Sequence, residues 1–230
     1  MCGRYTISKT TEEILERFNV LKEIFELTPN YNVAPSHMVP AVLSQTTEEK
    51  ENVRVMQVIK WGLVPFWVRD TRSHKPFINT RVETVLEKQS FKSSLAKKRC
   101  IIPADGFYEW KTVEGKKQPI WIRLPGEELM GFAGLYDDWH SADGSVNIRT
   151  CAIITVPCNE AMAPIHNRMP AILTPEGEAA WLDPDTRDPK ILSQYLEPYK
   201  GVIETFPVST LVNSVKNNTK ECTLEMANSS

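Results

Sequence analysis

Apolar positions along this chain recur with two different periods, and the changes of period mark its elements. Ile14, Leu15 and Phe18 share one face at helical spacing behind Thr10 and Glu13, the spacing of a capping box, so an amphipathic helix is predicted over 10–18. Segments 39–44 and 52–60 are rich in β-branched residues (Val39, Val42, Val53, Val55, Val58, Ile59). The polar stretch from Thr46 to Glu51 between them has the character of a hairpin loop, which predicts two strands. From Cys100 onward strand patterns dominate: Gly106 to Lys111, a turn over 113–117, then Gln118 to Leu124, Leu129 to Leu135 and Asn147 to Val156. Together these suggest a meander. Helices are predicted at about 82–97, at 175–182 behind Thr174-Pro175, and at 189–197 behind Asp188-Pro189, with proline at the first helical position, where its missing N–H costs nothing.

Strands that return to one sheet with helices packed outside predict an α+β fold: a single domain with a curled, mostly antiparallel, barrel-like β-sheet flanked by helices. No repeat, low-complexity linker or compositional shift marks a boundary. The domain is therefore expected over 1–217, followed by a polar C-terminal tail over 218–230 whose last ten residues fray.

Composition narrows the function classes. With 230 residues, 41% hydrophobic and 24% charged, the chain can bury a core, which excludes disorder. Its 27 Lys and Arg against 29 Asp and Glu leave a net charge of −2, so any contact with nucleic acid must be local rather than a bulk positive field. No apolar run approaches a bilayer span and the first residues lack a secretory apolar region, so a cytoplasmic protein without membrane contact is expected. Five cysteines at irregular spacing argue against a disulfide framework or a zinc site. Most should be buried thiols; Cys2, at a chain end, is the exception.

Once Met1 is removed, Cys2 becomes a 1,2-aminothiol. Its amine condenses with an aldehyde to an imine, and its sulfur then closes a five-membered thiazolidine, the second attack gaining from being intramolecular. Both groups have ordinary pKa values of about 8 to 8.5, so a neighbouring acid or base helps each step. The same free amine and thiol also suit an N-terminal nucleophile or a cysteine peptidase. Glu109, among aromatics in Asp105-Gly106-Phe107-Tyr108-Glu109-Trp110, should have its pKa raised if enclosed, although strand alternation also permits a solvent-facing Glu109. His166 sits between Pro164 and Pro170, a stiff loop suited to an acid/base group next to Arg168. Alternation through 77–84 places Asn79, Arg81 and Glu83 on one strand face, where an amide and a guanidinium could orient a polar substrate, or where Arg81 and Glu83 merely pair in solvent. Tyr31-Asn32-Val33-Ala34-Pro35 and the aromatic segment from Trp61 to Trp67 offer stacking faces to unpaired bases, or core anchors. Lys92, Lys97, Lys98 and Arg99 read as a solvated helix face.

In combination these segments resemble the SRAP family, the SOS-response-associated peptidases or abasic-site-processing proteins. The resemblance rests on Met1-Cys2-Gly3-Arg4-Tyr5, Tyr31 to Pro35, Trp61-Gly62 with Pro65 and Trp67, Asn79 to Thr84, Ala104 to Trp110 and Ile165 to Pro170, in that order. It implies binding of single-stranded DNA at an abasic site and a thiazolidine link through processed Cys2. In that scheme Asn79 positions the N-terminal residue while Glu109 and His166 move protons. Arg4, Arg81 and Arg168 would line a basic groove for phosphates, and Asn32, Pro35 and Trp67 would meet bases. Val68 follows Trp67 where some relatives carry a second tryptophan. A monomer needing no cofactor or metal is expected, with lyase side activity through the imine and N-terminal autopeptidase activity as further implications. Peptidase action in trans and reversible single-strand binding are the alternatives.

Overall fold

The computed structural model describes residues 2–21, 25–49, 51–70 and 74–226. The elements run β1 (Arg4–Ile7), α1 (Thr11–Arg17), β2 (Asn30–Val33), β3 (Met38–Thr46), β4 (Asn52–Trp61), β5 (Asn79–Arg81), α2 (Val82–Glu87), α3 (Gln89–Lys97), β6 (Arg99–Ala104), β7 (Gly106–Val113), β8 (Lys116–Arg123), β9 (Met130–His140), β10 (Asn147–Pro157), β11 (Arg168–Pro170), β12 (Ile172–Leu173), α4 (Pro175–Leu182), α5 (Pro189–Ser193) and β13 (Glu204–Pro207). The predicted capping box is complete: the Glu13 N–H donates to Thr10 Oγ1 at 3.2 Å and the Thr10 N–H to Glu13 Oε2 at 2.7 Å. That fixes the start of α1 and turns Ile14 and Phe18 into the core. Strands β3 and β4 form the expected hairpin, in register from Met38 opposite Lys60 to Thr46 opposite Asn52.

The expected meander is instead divided between two sheets. One has the order β13-β8-β7-β1-β2. The other runs β11-β10-β4-β3-β6-β9-β12 and is closed by β9 pairing with β10, from His140 opposite Asn147 to Gly134 opposite Ile153. Alternation within each strand is the same whichever sheet it joins, so the sequence pattern cannot show the division. A 3-10 turn over Pro125–Glu127, with Gly126 at φ +69°, carries the chain from β8 in the first sheet to β9 in the second. Strand β10 pairs in parallel with β4 and then β5; the remaining pairings are antiparallel. The curled, mostly antiparallel α+β architecture is thus present, built from a closed sheet and an open one.

The two sheets meet through aromatic side chains. Tyr5 stands edge-on to Trp61 at 5.3 Å and to Phe132 at 6.2 Å, and Phe107 to Phe132 at 6.0 Å. Such pairs are worth about 0.5–1.5 kcal/mol each beyond their buried area. Gly106 is required by close approach, because a Cβ there would lie 2.2 Å from Trp121 Nε1.

The helix predicted over 82–97 is two helices separated by an extended Lys88. Val82 and Val85 are buried in the first and Phe91 and Leu95 in the second. Six residues from Val85 to Phe91 are out of phase for one straight helix, and the break restores both stripes to the core. The last predicted helix is shorter than 189–197, ending at Ser193. Of the basic run only Lys92 and Lys97 are exposed on the helix: Arg99 is buried and donates to the carbonyls of Leu95, Ala96, Trp181 and Asp183, while Lys98 pairs with buried Asp137. Nor does the tail fray over 221–226. Cys222 is fully buried, the Met226 N–H donates to the Pro207 carbonyl at 2.8 Å, and the Tyr31 N–H to Asn218 Oδ1 at 2.7 Å. One apolar anchor in a polar stretch suffices to seat that segment. Among the described residues no helix is long and apolar enough to cross a membrane.

Candidate active site at the seam of the two sheets

Strand β1 carries the chain start into the seam. Arg4 lies opposite Tyr108 and Tyr5 opposite Phe107 on β7; continuing that register sets Gly3 across from Glu109. Cys2, expected to be an exception to burial, is fully enclosed, its sulfur 3.7 Å from the Arg4 carbonyl oxygen. Burial pushes its thiol pKa well up and the charge of Glu109 pushes it further, so the sulfur stays protonated unless a base removes the proton.

Asn79 arrives from the other sheet. The Ile78 carbonyl just ahead of it accepts from Trp61 Nε1 at 2.7 Å and from the Ile153 N–H at 3.1 Å, which fixes the backbone from which Asn79 projects. Its Nδ2 donates to the Cys2 carbonyl at 2.7 Å, and its Oδ1 is enclosed with no partner among the described residues. Glu109 faces the interior, only 3% exposed, which excludes the solvent-facing strand position. Burial raises its pKa, and the charge of His166 opposes the rise. His166 Nδ1 meets the Arg168 backbone, 3.0 Å from its N–H and 3.2 Å from its carbonyl oxygen. The turn behind it is locked by the Met162 carbonyl, which accepts from the N–H groups of Ile165 and His166 at 2.8 and 2.9 Å. Cys2, Asn79, Glu109 and His166 are therefore brought to one place, linked by a hydrogen bond and by mutual electrostatic influence.

The expected DNA contacts divide. Arg81 is exposed, Pro35 is half-buried in the turn beside Trp61, and Trp67 is 54% exposed next to Phe66, which is 64% exposed. Asn32 is different, being fully buried. Its amide accepts from Arg4 Nη1 at 2.8 Å and donates to the carbonyls of Val212, Ser214 and Asn217, leaving it nothing to offer a base. Arg4 also donates to the carbonyls of Val212 and Asn213, so it holds the C-terminal segment against β1. Arg168 is nearly buried; its guanidinium forms a bidentate pair with Glu83 at 2.7 and 3.1 Å and donates to the Thr155 carbonyl. Of the three arginines expected around a basic groove, Arg81 is exposed, while Arg4 and Arg168 also hold internal acceptors. Glu83, read as sharing a strand face with Arg81, begins helix α2 instead and pairs with Arg168, which draws its pKa below the usual carboxylate range. All five cysteines are free thiols, and among the described residues no three His, Cys, Asp or Glu side chains gather as a metal site.

A buried thiol, an amide bound to the backbone beside it, a carboxyl and an imidazole are thus gathered around one chain end. The family model described as SOS response associated peptidase (SRAP) matches residues 1–215, and the chain belongs to that family. It is similar to the abasic site processing protein YoqW of Bacillus subtilis (strain 168), 43% identical over 225 residues covering 96% of this chain and 98% of that protein. It is also similar to the abasic site processing protein HMCES of Xenopus tropicalis, 36% identical over 221 residues, 84% of this chain and 65% of that one. A crystal structure of a Bacteroides thetaiotaomicron protein superposes with a TM-score of 0.87 at 28% identity, covering 98% of this chain and 100% of that one.

Proposed function

We propose that the protein binds single-stranded DNA at abasic sites and links itself covalently to the exposed sugar aldehyde through Cys2, after loss of Met1. The observation that carries this reading is the Asn79 hydrogen bond to the Cys2 carbonyl, which holds the N-terminal residue itself, rather than an internal side chain, against Glu109 and His166. The names of the relatives support the substrate.

The chemistry needs proton transfer at each step. The closed sugar opens to its aldehyde, with a proton taken from the anomeric hydroxyl and one returned to the ring oxygen. The Cys2 amine adds to the carbonyl carbon, and loss of one water leaves an imine. The thiol then gives up its proton, the sulfur bonds the imine carbon, and the imine nitrogen gains a proton, closing the thiazolidine. Glu109, its pKa raised by burial, is suited to carry protons near neutrality, and His166, held at Nδ1 by the Arg168 backbone, is the second carrier. The enclosed Asn79 Oδ1 supplies an acceptor for the new α-amine. Loss of the C2′ proton from the imine before ring closure, with expulsion of the 3′ phosphate, would cleave the strand as a lyase side reaction. Met1 departs by the same site acting on its own chain or by an aminopeptidase.

A peptidase acting in trans is disfavoured because acyl transfer to an external peptide leaves the placement of the thiol at residue 2 unexplained. The test is incubation of processed protein with an abasic oligonucleotide. A band resistant to denaturation, absent for Cys2→Ala, supports the reading; a band that persists in that variant refutes it.

A further inference from the structure

Asn79 and Glu109 stand on strands, whereas His166 is delivered by the loop over 158–167 between β10 and β11. Met162 in that loop is fully buried, but Glu160, Ala161, Ala163 and Pro164 are exposed, so packing holds it at few points. Hydrogen bonds that begin at Asn159 supply the rest. The Asn159 carbonyl accepts from the N–H groups of Met162 at 3.2 Å and Ala163 at 3.0 Å, and its side-chain Oδ1 accepts the Met162 N–H at 3.0 Å. That is the arrangement of a helix N-cap, in which the side chain satisfies the third N–H of the turn, and asparagine is among the residues preferred there. The turn is passed on through Met162, whose carbonyl accepts from Ile165 and His166, so the His166 backbone is placed by the same ladder that Asn159 starts. The other end of the amide ties the loop down: Asn159 Nδ2 donates at 2.8 Å to the carbonyl of Tyr199, which packs against the core from the segment between α5 and β13.

We propose that Asn159 is a positioning residue for the crosslinking reaction: its one amide caps the turn, moors it to the Tyr199 backbone, and so sets where the His166 ring stands relative to Cys2 and Glu109. The proposal rests on the reading under Proposed function. Both polar atoms of the Asn159 side chain are engaged inside the protein, so its effect on the reaction runs through His166 rather than through contact with the strand. The dependence is steep because a proton carrier works only within hydrogen-bond reach of the atom it serves. Without the cap and the mooring, an exposed loop has several ways to settle, and most of them carry the ring out of that reach.

The test measures the rate of crosslinking of the processed full chain at saturating abasic oligonucleotide, and separately its affinity for the same strand carrying tetrahydrofuran, which lacks the aldehyde and cannot crosslink. Asn159→Ala should slow crosslinking about tenfold, short of the roughly 10²-fold that a displacement of about 1 Å can bring, and leave the affinity unchanged. Asn159→Asp keeps an acceptor for the Met162 N–H and loses the donor to Tyr199, so its rate should lie between those of Asn159→Ala and the wild type. The decisive comparison is made in His166→Ala, whose slower reaction is followed over correspondingly longer times: there Asn159→Ala should cause no further loss, because the group it positions is gone. If Asn159→Ala does not fold, Asn159→Asp in the two backgrounds makes the same comparison. A wild-type rate for Asn159→Ala, a rate for Asn159→Asp outside the stated interval, an equal loss repeated in the His166→Ala background, or a parallel loss of affinity for the tetrahydrofuran strand would overturn the positioning role while leaving covalent capture intact. A wild-type rate for His166→Ala would overturn it too. No crosslink with the wild-type protein would bring down the function itself.

Discussion

Replacing Asn32 by alanine separates a structural role from a DNA contact. In the folded protein this side chain makes four hydrogen bonds, to Arg4 at 2.8 Å and to the carbonyls of Val212, Ser214 and Asn217 at 3.2, 2.9 and 2.8 Å. At about 1 kcal/mol net for each, the full loss approaches 4 kcal/mol, and relaxation of the freed carbonyls toward water brings it to about 3 kcal/mol. For a domain of this size each kcal/mol moves the midpoint of thermal unfolding by about 2–4 °C, so Asn32→Ala should melt about 6–12 °C below the wild type. Circular dichroism melts of the two proteins measure this directly. Below the transition the variant should retain most of its affinity for single-stranded DNA. A midpoint within about 2 °C of wild type, accompanied by weakened DNA binding, would refute the structural account and return Asn32 to the bases.

Further outcomes follow from the same geometry. Glu109→Gln should slow crosslinking about 10²-fold and remove the acid limb of its pH profile. Because burial raises the folded pKa of Glu109, its carboxylate costs stability once the pH passes the unfolded value of about 4.3. The wild type should therefore lose ground to the glutamine variant as pH rises from there through the folded value, with a constant gap above it; a less stable variant at neutral pH would contradict this. Arg81→Ala should leave the melting midpoint unchanged and lower the slope of log affinity against log salt by about 0.7, the loss of one phosphate contact on a single strand. Glu178→Ala removes a buried carboxylate that holds Arg17 at 2.9 and 3.1 Å and Arg54 at 3.9 Å. It should cost about 3 kcal/mol in denaturant titration, the low end for a broken buried pair because both arginines are partly exposed.

The local elements were legible because their causes are local. The Thr10–Glu13 box, the Thr174-Pro175 and Asp188-Pro189 starts and the β3–β4 hairpin each depend on neighbours a few residues apart. The division of strands between two sheets was not, since β8 and β9 alternate in the same way and only the turn at Gly126 separates them. The same limit applies to the site. Chemistry singled out Cys2, Glu109 and His166, and their convergence agrees with it. The arginines were harder to read, because a guanidinium in a motif looks alike whether it faces solvent or, like Arg168, pairs with a glutamate and a carbonyl inside the fold. Asn32 misled for a related reason: its partners lie about 180 residues away in the chain. Asn159 gave no sign of holding the His166 loop, because the Tyr199 carbonyl that moors it is remote along the chain.

The intact mass of the protein–DNA adduct, measured before and after borohydride treatment, bears most directly on the central claim. Capture by the terminal amine and sulfur predicts a mass equal to the chain without Met1 plus the abasic oligonucleotide less one water, unchanged by borohydride because a closed thiazolidine holds no imine to reduce. An adduct that retains Met1, or one that gains two hydrogens on reduction, would contradict it.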